Sequence, residues 1–381
     1  MTVRASRSVI SRLQRARDHL RTASLDALVV SHLPNIRYLT GFSGTAGLFL
    51  LTPTEATLIV DFRYRAAARA LLASRSVDAE QIALRVPEQS YDETLAAALT
   101  ESGARRIGIE AASMPVNRFN KLSSALAAAA PTPLRSPDGC PVLVPTERII
   151  ESARVIKDED EIATLREAGR RLAVAASEAV TLAQAGRSEL EVAAEVDVLL
   201  KRVGFERPAF ETIVASGPNT AYPHARPGGR RLMNGDGVVL DFGGVYDGYC
   251  VDLTRTVQLG DARSDFRRLF AAVAEAQQAA IGSVRPGTRA SDIDRAAREA
   301  LGRYGLEEAF GHGTGHGLGL EVHEEPRIGK SIVGQPDVPL EPGMVFTIEP
   351  GVYVEGVGGV RIEDDVLVTD DGCEVLTIHG G

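Results

Sequence analysis

Residues 311–326 read GHGTGHGLGLEVHEEP and hold three of the seven histidines of this 381-residue chain, His312, His316 and His323. Glycines occupy positions 311, 313, 315, 317 and 319. That alternation suits an extended segment, in which residues i, i+2 and i+4 share one side, so His312 and His316 look the same way. The small glycines let a ligand or a second backbone come close. His323 lies seven residues beyond His316, and a turn or bulge must re-aim it if it is to join them. A glycine-rich loop with incidental histidines is the plain alternative, and what surrounds the segment in the chain weighs against it.

Upstream, residues 238–257 read VVLDFGGVYDGYCVDLTRTV. Two alternating apolar runs flank Asp247-Gly248, a short-range signal for a two-residue hairpin loop. With that loop, opposed residues sum to 495, so Asp241 faces Thr254 and Asp252 shares the face of Asp241. Downstream, residues 344–368 read MVFTIEPGVYVEGVGGVRIEDDVLV. Glu349 and Glu363 sum to 712, which centres a second hairpin on Gly356 and brings the two glutamates level. Asp364 and Asp365 have a plain reading as exposed strand-end charges.

Aspartate is disfavoured inside a strand, and paired carboxylates repel unless a cation or proton lies between them. A cation is the economical explanation. The ligand set is Asp241, Asp252, Glu349 and Glu363, with one imidazole, best supplied by His316. Four carboxylates balance two divalent ions. Oxygen-rich ligation with one nitrogen suits Mn(II), Co(II), Fe(II) or Zn(II), and the absence of a thiolate argues against a structural zinc site. Cys250, two residues from Asp252, reads as a small buried residue rather than a ligand.

Hydrophobic residues make up 44% of the chain and charged ones 24%, as in ordinary globular proteins. A net charge of -9 argues against nucleic acid or an anionic membrane as partner. The three dispersed cysteines, Cys140, Cys250 and Cys373, point to free thiols in a reducing, cytoplasmic setting. No apolar run approaches the roughly 18 residues of a membrane span. The Arg-rich start superficially suits a transit peptide, but Val9, Ile10, Leu13, Ala16 and Leu20 have the spacing of an amphipathic helix.

From there to about residue 150, strands over 25–31, 47–51, 56–60 and 107–110 alternate with helices over Arg65–Ala73 and 92–102, as in a small α/β domain. Its polar clusters, His32, Asn35, Arg37 and Tyr38 and then Asp61, Arg63 and Tyr64, read equally as loop ends and caps. The proline-rich stretch 131–145 is the candidate linker. A charged helical run follows over 150–171, with 157–161 (KDEDE) as its solvated start. The division is therefore 1–150 and 151–381, with no internal repeat visible in the sequence.

Five segments, SGPNTAYPHARP, LDFGGVYDGYCVDLTRT, GHGTGHGLGLEVHEEP, FTIEPGVYV and RIEDDVLV, resemble in order those of the pita-bread dinuclear metallopeptidases. The resemblance is closest to the branch of Xaa-Pro dipeptidases (prolidases) and Xaa-Pro aminopeptidases. HLPNIRYLTGFSG and IVDFRYR resemble, more loosely, the creatinase-like N-terminal domain of that branch. The resemblance implies an α/β N-terminal domain followed by an α+β pita-bread domain, in which helix repeats related by a pseudo-twofold pack on a curved antiparallel sheet. It implies two divalent ions, Mn(II) foremost, with Asp241 on the first, His316 and Glu349 on the second, and Asp252 and Glu363 bridging.

The resemblance also implies hydrolysis of small peptides before proline by a metal-activated water, with Glu349 shuttling the proton. His323 and His224 would stand beside the carbonyl oxygen and the substrate backbone. His312, Arg327 and Arg361 are the substrate-side candidates. Arg327 suits the free carboxylate of a dipeptide, against a plain pairing with Glu324 or Glu325, and Arg361 has a second reading as support for the ligands. A homodimer is expected. The alternatives are an aminopeptidase or a same-fold hydrolase with other end specificity, and a non-enzymatic binding homologue.

Overall fold

In the computed structural model the short apolar runs of the first third become the middle of one mixed sheet. The structure describes residues 2–74, 82–129, 141–261, 264–334 and 336–378. The chain forms two compact units, one ending at Arg154 and the other beginning at Val155. In the first unit, α1 (Thr2–Thr22) buries Leu13, Ala16 and Leu20 of the stripe expected of an amphipathic helix, while the side chains of Val9 and Ile10 lie outside the described part. Then come β1 (Ala27–Val30), α2 (Leu33–Thr40), β2 (Leu48–Leu51), β3 (Ala56–Ile59), α3 (Arg65–Ala73) and β4 (Ala83–Arg85). The unit continues with α4 (Tyr91–Ser102), β5 (Arg106–Glu110), α5 (Val116–Ala129), β6 (Val142–Thr146) and α6 (Ile149–Arg154). The strands lie in the order β4-β3-β2-β1-β5-β6.

Two expectations change here. The candidate linker over 131–145 ends inside β6, which pairs in parallel with β5 and buries Leu143 beside Ile107. As the edge strand it tolerates Pro145, which has no N–H to donate; residues 130–140 lie outside the described part. The polar cluster around Asn35 serves the unit's own interior. Glu110 accepts from the backbone N–H of Ser31 and His32 and from Asn35, while Asn35 also meets Glu151 and Arg154. Nearer the surface, Asp61 accepts from Arg63 and Tyr91.

The second unit begins with α7 (Glu159–Leu182) and α8 (Glu189–Arg202), each started by a capping box, Asp158 with Glu161 and Ser188 with Glu191. The 157–161 stretch is thus not a solvated start. Lys157 and Glu161 are buried, Lys157 against Glu324 and Glu161 against the Tyr249 hydroxyl. Nor is 150–171 one helix, because α6 ends at Arg154 and α7 starts afresh at its cap.

Then follow β7 (Arg207–Pro208), β8 (Ile213–Ser216), β9 (Gly237–Tyr246) and β10 (Tyr249–Gln258), with β7 and β8 both paired to β9. A second helix pair, α9 (Ser264–Ser283) and α10 (Ala290–Arg303), precedes β11 (Gly315–Gly317) and β12 (Glu324–Ile328). The unit closes with β13 (Val345–Ile348), β14 (Gly351–Val354), β15 (Gly358–Arg361), β16 (Asp364–Val368) and β17 (Cys373–Val375).

Each helix pair covers its own hairpin system. Leu165, Leu172 and Val196 pack with Phe242 and Leu253, while Val273, Ile293 and Leu301 pack with Phe346, Ile348 and Val366. This twofold organisation of helix pair over antiparallel strands is the architecture the resemblance implied, although the two halves share no visible sequence repeat.

Both hairpin registers are as the spacing requires. Asp241 lies opposite Thr254 across a turn in which Asp247 and Gly248 take φ of 42° and 73°. Ile348 lies opposite Asp364 and Gly351 opposite Arg361, so the sum of 712 holds on both sides of Glu349 and Glu363. Asp364 and Asp365, expected as exposed charges, are instead buried at 5% and 0% exposure. Asp364 accepts from Arg255, Gln277 and Thr377, and Asp365 accepts from the backbone N–H of Asp252. The left-handed turn gives a direct check. Gly248→Val adds a β-branched side chain at positive φ and should cost about 1–2 kcal/mol, read as a lower urea midpoint at unchanged secondary structure. An unchanged midpoint would refute the register.

Candidate metal centre

The site is built where the two hairpin systems meet. Asp241 and Asp252 project from β9 and β10, while Glu349 and Glu363 occupy the short breaks between β13 and β14 and between β15 and β16. Cross-bonds hold the two systems in register: the Glu363 N–H donates to Thr254 O (3.1 Å), and the Thr254 hydroxyl donates to Glu363 Oε2 (2.5 Å). The Arg255 guanidinium spans Glu363 O (2.6 Å) and Asp364 Oδ1 (2.7 Å).

β11 delivers the imidazoles. An added Cβ at Gly315 would lie 1.8 Å from Thr347 O and one at Gly317 2.1 Å from Glu325 O, so the glycines permit close backbone approach. The ladder shifts register between His316 and Gly317, and His323 returns with its ring centroid 4.2 Å from that of His316.

All ten residues singled out in the sequence, His224, Asp241, Asp252, His312, His316, His323, Arg327, Glu349, Arg361 and Glu363, line one cavity of about 550 Å³. Asp252, His316 and Glu363 each offer a ligand atom within 4.8 Å of the others and could hold a metal ion. Glu349 Oε1 lies 3.6 Å from His316 Nε2. The Nδ1–H of His316 donates to Gly317 O (3.1 Å), because a carbonyl can only accept. That fixes the tautomer and leaves the Nε2 lone pair facing the carboxylates.

The donor set fits divalent cations on its own terms. Asp241 Oδ1 and Asp252 Oδ1 are buried without a hydrogen-bond partner, unusual for ionisable oxygens. Burial and then the neighbouring carboxylates push Asp252 and Glu363 well above the usual carboxylate range, and burial pushes Glu349 up to about 8. One guanidinium, Arg361, faces these carboxylates and pairs with Asp241 Oδ2 at 2.5 Å. Burial disfavours the charge on Arg361, but Asp241, Tyr353 and Glu363 together more than offset this and hold it above the usual arginine range. Cys250 stays apart from the donor set, with burial raising its thiol to about 12.

Arg361 is therefore bonded inward. It also donates to the Tyr353 hydroxyl (2.7 Å), whose oxygen lies 3.1 Å from His312 Nε2, and His312 Nδ1–H donates to Gly313 O. Burial lowers both His312 and His316 to about 4, so both are neutral near pH 7. Arg327 is exposed and donates to Lys330 O, while Glu324, one of its expected partners, pairs with Lys157. The sequence reading missed Tyr353 and the apolar wall formed by Phe210, Ile213 and Val322. Tyr353 stood inside a quoted motif, but alternation alone could not show that its hydroxyl reaches Arg361 and His312.

Residues 163–370 match metallopeptidase family M24, and residues 12–156 match the creatinase/prolidase N-terminal domain. The chain belongs to metallopeptidase family M24. It is 35% identical over 356 residues to the Xaa-Pro dipeptidase of Pyrococcus horikoshii, covering 93% of each chain. Its fold matches that of the Xaa-Pro dipeptidase from Bacillus anthracis with a TM-score of 0.88 and 32% identity, covering 97% of both chains. It matches the X-Pro aminopeptidase from Thermotoga maritima with a TM-score of 0.81 and 31% identity, covering 95% and 98% respectively. These neighbours bear out the two-domain pita-bread architecture. Among the described residues of this M24 metallopeptidase, no helix is long and apolar enough to cross a membrane.

The carboxylate cluster sets the pH dependence of the metal-free protein. Below pH 6.5 the depressed histidines oppose the raised carboxylates, since histidines that are protonated only when unfolded cost stability as pH falls. Above pH 6.5 the histidines are neutral in both states. Folded Glu349 still holds its proton up to about 8, whereas the unfolded chain releases it near the ordinary value of 4.5. The folded state then binds more protons, so stability should fall from pH 6.5 to 8 in chelated protein and recover on adding Mn(II). Melting temperatures across that range check this, and a flat metal-free profile would contradict it.

Proposed function

We propose that the chain is a dinuclear metal-dependent peptidase that cleaves Xaa-Pro bonds, with Xaa-Pro dipeptides as its preferred substrates. The observation carrying this reading is the set of four carboxylates and one imidazole, buried at Asp241, Asp252 and Glu363 and half-buried at His316 and Glu349, with unpartnered oxygens on Asp241 and Asp252, all lining one cavity of substrate size. Asp241 would serve one ion, His316 and Glu349 the other, and Asp252 and Glu363 would be shared between them. Oxygen-rich ligation supports Mn(II) first, then Co(II), Fe(II) or Zn(II). When bound, such ions supply a water acidified to near-neutral pH and polarisation of the scissile carbonyl.

The residues of the chain do the rest. Glu349 receives the proton of the attacking water and passes it to the leaving proline nitrogen. His323, which burial holds below the usual histidine range, is a neutral N–H donor for the developing oxyanion, and His224 faces the substrate backbone. His312 is held by Tyr353 at the substrate side. Arg361 steadies Asp241, and of the two exposed arginines on the cavity, Arg226 and Arg327, we assign Arg327 as the planar cation for a free carboxylate after proline.

The thiols of Cys250 and Cys373, both unpaired, support a reducing cytoplasmic location. We propose a homodimer as well, supported by Phe62, which is 78% exposed in the first unit. Sedimentation should give twice the chain mass, and a fully active monomer would overturn that assignment.

The principal test compares Xaa-Pro with Xaa-Pro-Yaa substrates. Wild type should prefer the dipeptide, lose turnover on chelation and regain it with Mn(II). Arg327→Ala should raise KM for the dipeptide about tenfold or more with kcat little changed. Asp252→Asn should lose at least one ion and nearly all turnover while staying folded. Equal cleavage of tripeptides would move the reading to an aminopeptidase, and folded protein that cannot be loaded with metal would move it to a binding homologue.

A further inference from the structure

The cavity wall that carries His224 is a loop, and a single buried carboxylate outside the cavity holds both of its ends. Glu189, the first residue of α8, is 1% exposed. Its Oε1 accepts from Ser216 N (2.8 Å), Ser216 Oγ (2.7 Å) and Asn219 Nδ2 (3.0 Å), all at the start of the loop. Its Oε2 accepts from Asn219 Nδ2 (3.2 Å) and from Gly228 N (3.2 Å), the latter at the loop's end. The backbone continues the attachment, because Leu190 N donates to Gly228 O and Glu189 N to Arg230 O. Between these ends, Pro223, His224, Ala225, Arg226 and Pro227 face the cavity.

The middle of the loop is anchored separately. Thr220 Oγ1 accepts from Gly359 N (2.7 Å) on β15, and Pro223 O accepts from Arg361 (3.2 Å). Ser216 Oγ also accepts from Arg230, which pairs with Asp236. A carboxylate has acceptor positions on both oxygens and no donor, so it can take N–H groups from opposite ends of a loop at once. An amide cannot. If Gln placed its oxygen at Ser216, its NH2 would face the Gly228 N–H, donor against donor, and the side-chain tie to the far end would be lost, leaving the two backbone bonds to hold it alone.

We propose that Glu189 is a positioning residue for the reaction: it ties the two ends of the 216–228 segment together and so fixes where His224 stands over the substrate. This rests on the peptidase reading above for the role of His224, whereas the clasp itself rests on the hydrogen bonds alone. Glu189 touches neither substrate nor any of the five residues assigned to the ions, so metal content should be unaffected. Loss of such outer supports typically costs 10–100-fold in activity.

The test uses full-length, Mn(II)-loaded protein and Glu189→Gln. Its kcat/KM on an Xaa-Pro dipeptide should fall about 10–100-fold, mainly in kcat, at unchanged metal content. Hydrogen exchange should speed up at the amides of 217–228 and not in β9 or β10. Combined with His224→Ala, the change should add no further loss beyond His224→Ala alone, because both act through one group. Should Glu189→Gln fail to fold, Asn219→Ala removes part of the clasp from the surface side and is read in the same ways.

Unchanged exchange in 217–228, or losses that multiply in the double variant, would overturn the proposal. Absence of Xaa-Pro turnover in the wild type would overturn the peptidase reading and the positioning role with it. The exchange measurement would still decide the clasp independently.

Discussion

Like charge concentrated in a dry place is the constraint to which the second unit answers. Asp252 and Glu363 are 6% and 2% exposed, and their neighbours include Asp241, Glu349 and Asp365. Such a cluster is costly without compensation. The fold meets part of the cost internally, through Arg361 on Asp241 and the Thr254 hydroxyl on Glu363. The unpartnered oxygens of Asp241 and Asp252 mark the part left for a cation.

Around that cluster, successive supports face one another across the hairpins rather than along the chain. Asp365 receives the Asp252 N–H, and Arg255 braces Glu363 and Asp364 from the far side. Lys157 pairs with Glu324 beside His323, and Glu189 holds the loop of His224. The cavity residues are thus placed by buried polar groups one step removed from the chemistry. These groups look unremarkable in isolation, and some sit in stretches whose composition suggests open solvent.

That contrast explains what could be read in the sequence. Hairpin register follows from side-chain alternation and the Asp247-Gly248 turn, both local, and these alone put Asp241 opposite Thr254 and Glu349 level with Glu363. The glycine alternation around His316 likewise signalled close backbone approach. What alternation and turns did not show were the buried polar groups whose partners lie far off in the chain. Lys157 and Glu161 look solvated until Glu324 and Tyr249 cover them, and Asp364 and Asp365 look exposed until Gln277 and Thr377 arrive. The three-residue strand β4 is too short to show a pattern and takes its form from pairing with β3. Tyr353 and Glu189 carried no local sign of their partners.

The division of the second unit into two cores has a further consequence. Asp241 and Asp252 belong to the half under α7 and α8, while His316, Glu349 and Glu363 belong to the half under α9 and α10. The halves share apolar contacts, since Leu318, Val345 and Leu367 pack into the core under α7 and α8, and neither half carries all five of the candidate donors. An ion that needs both sets therefore recognises only chains in which the two halves have docked in register. Metal occupancy becomes a readout of completed folding, and a mutation that shifts one half against the other would be felt first as lost metal rather than as a lost core.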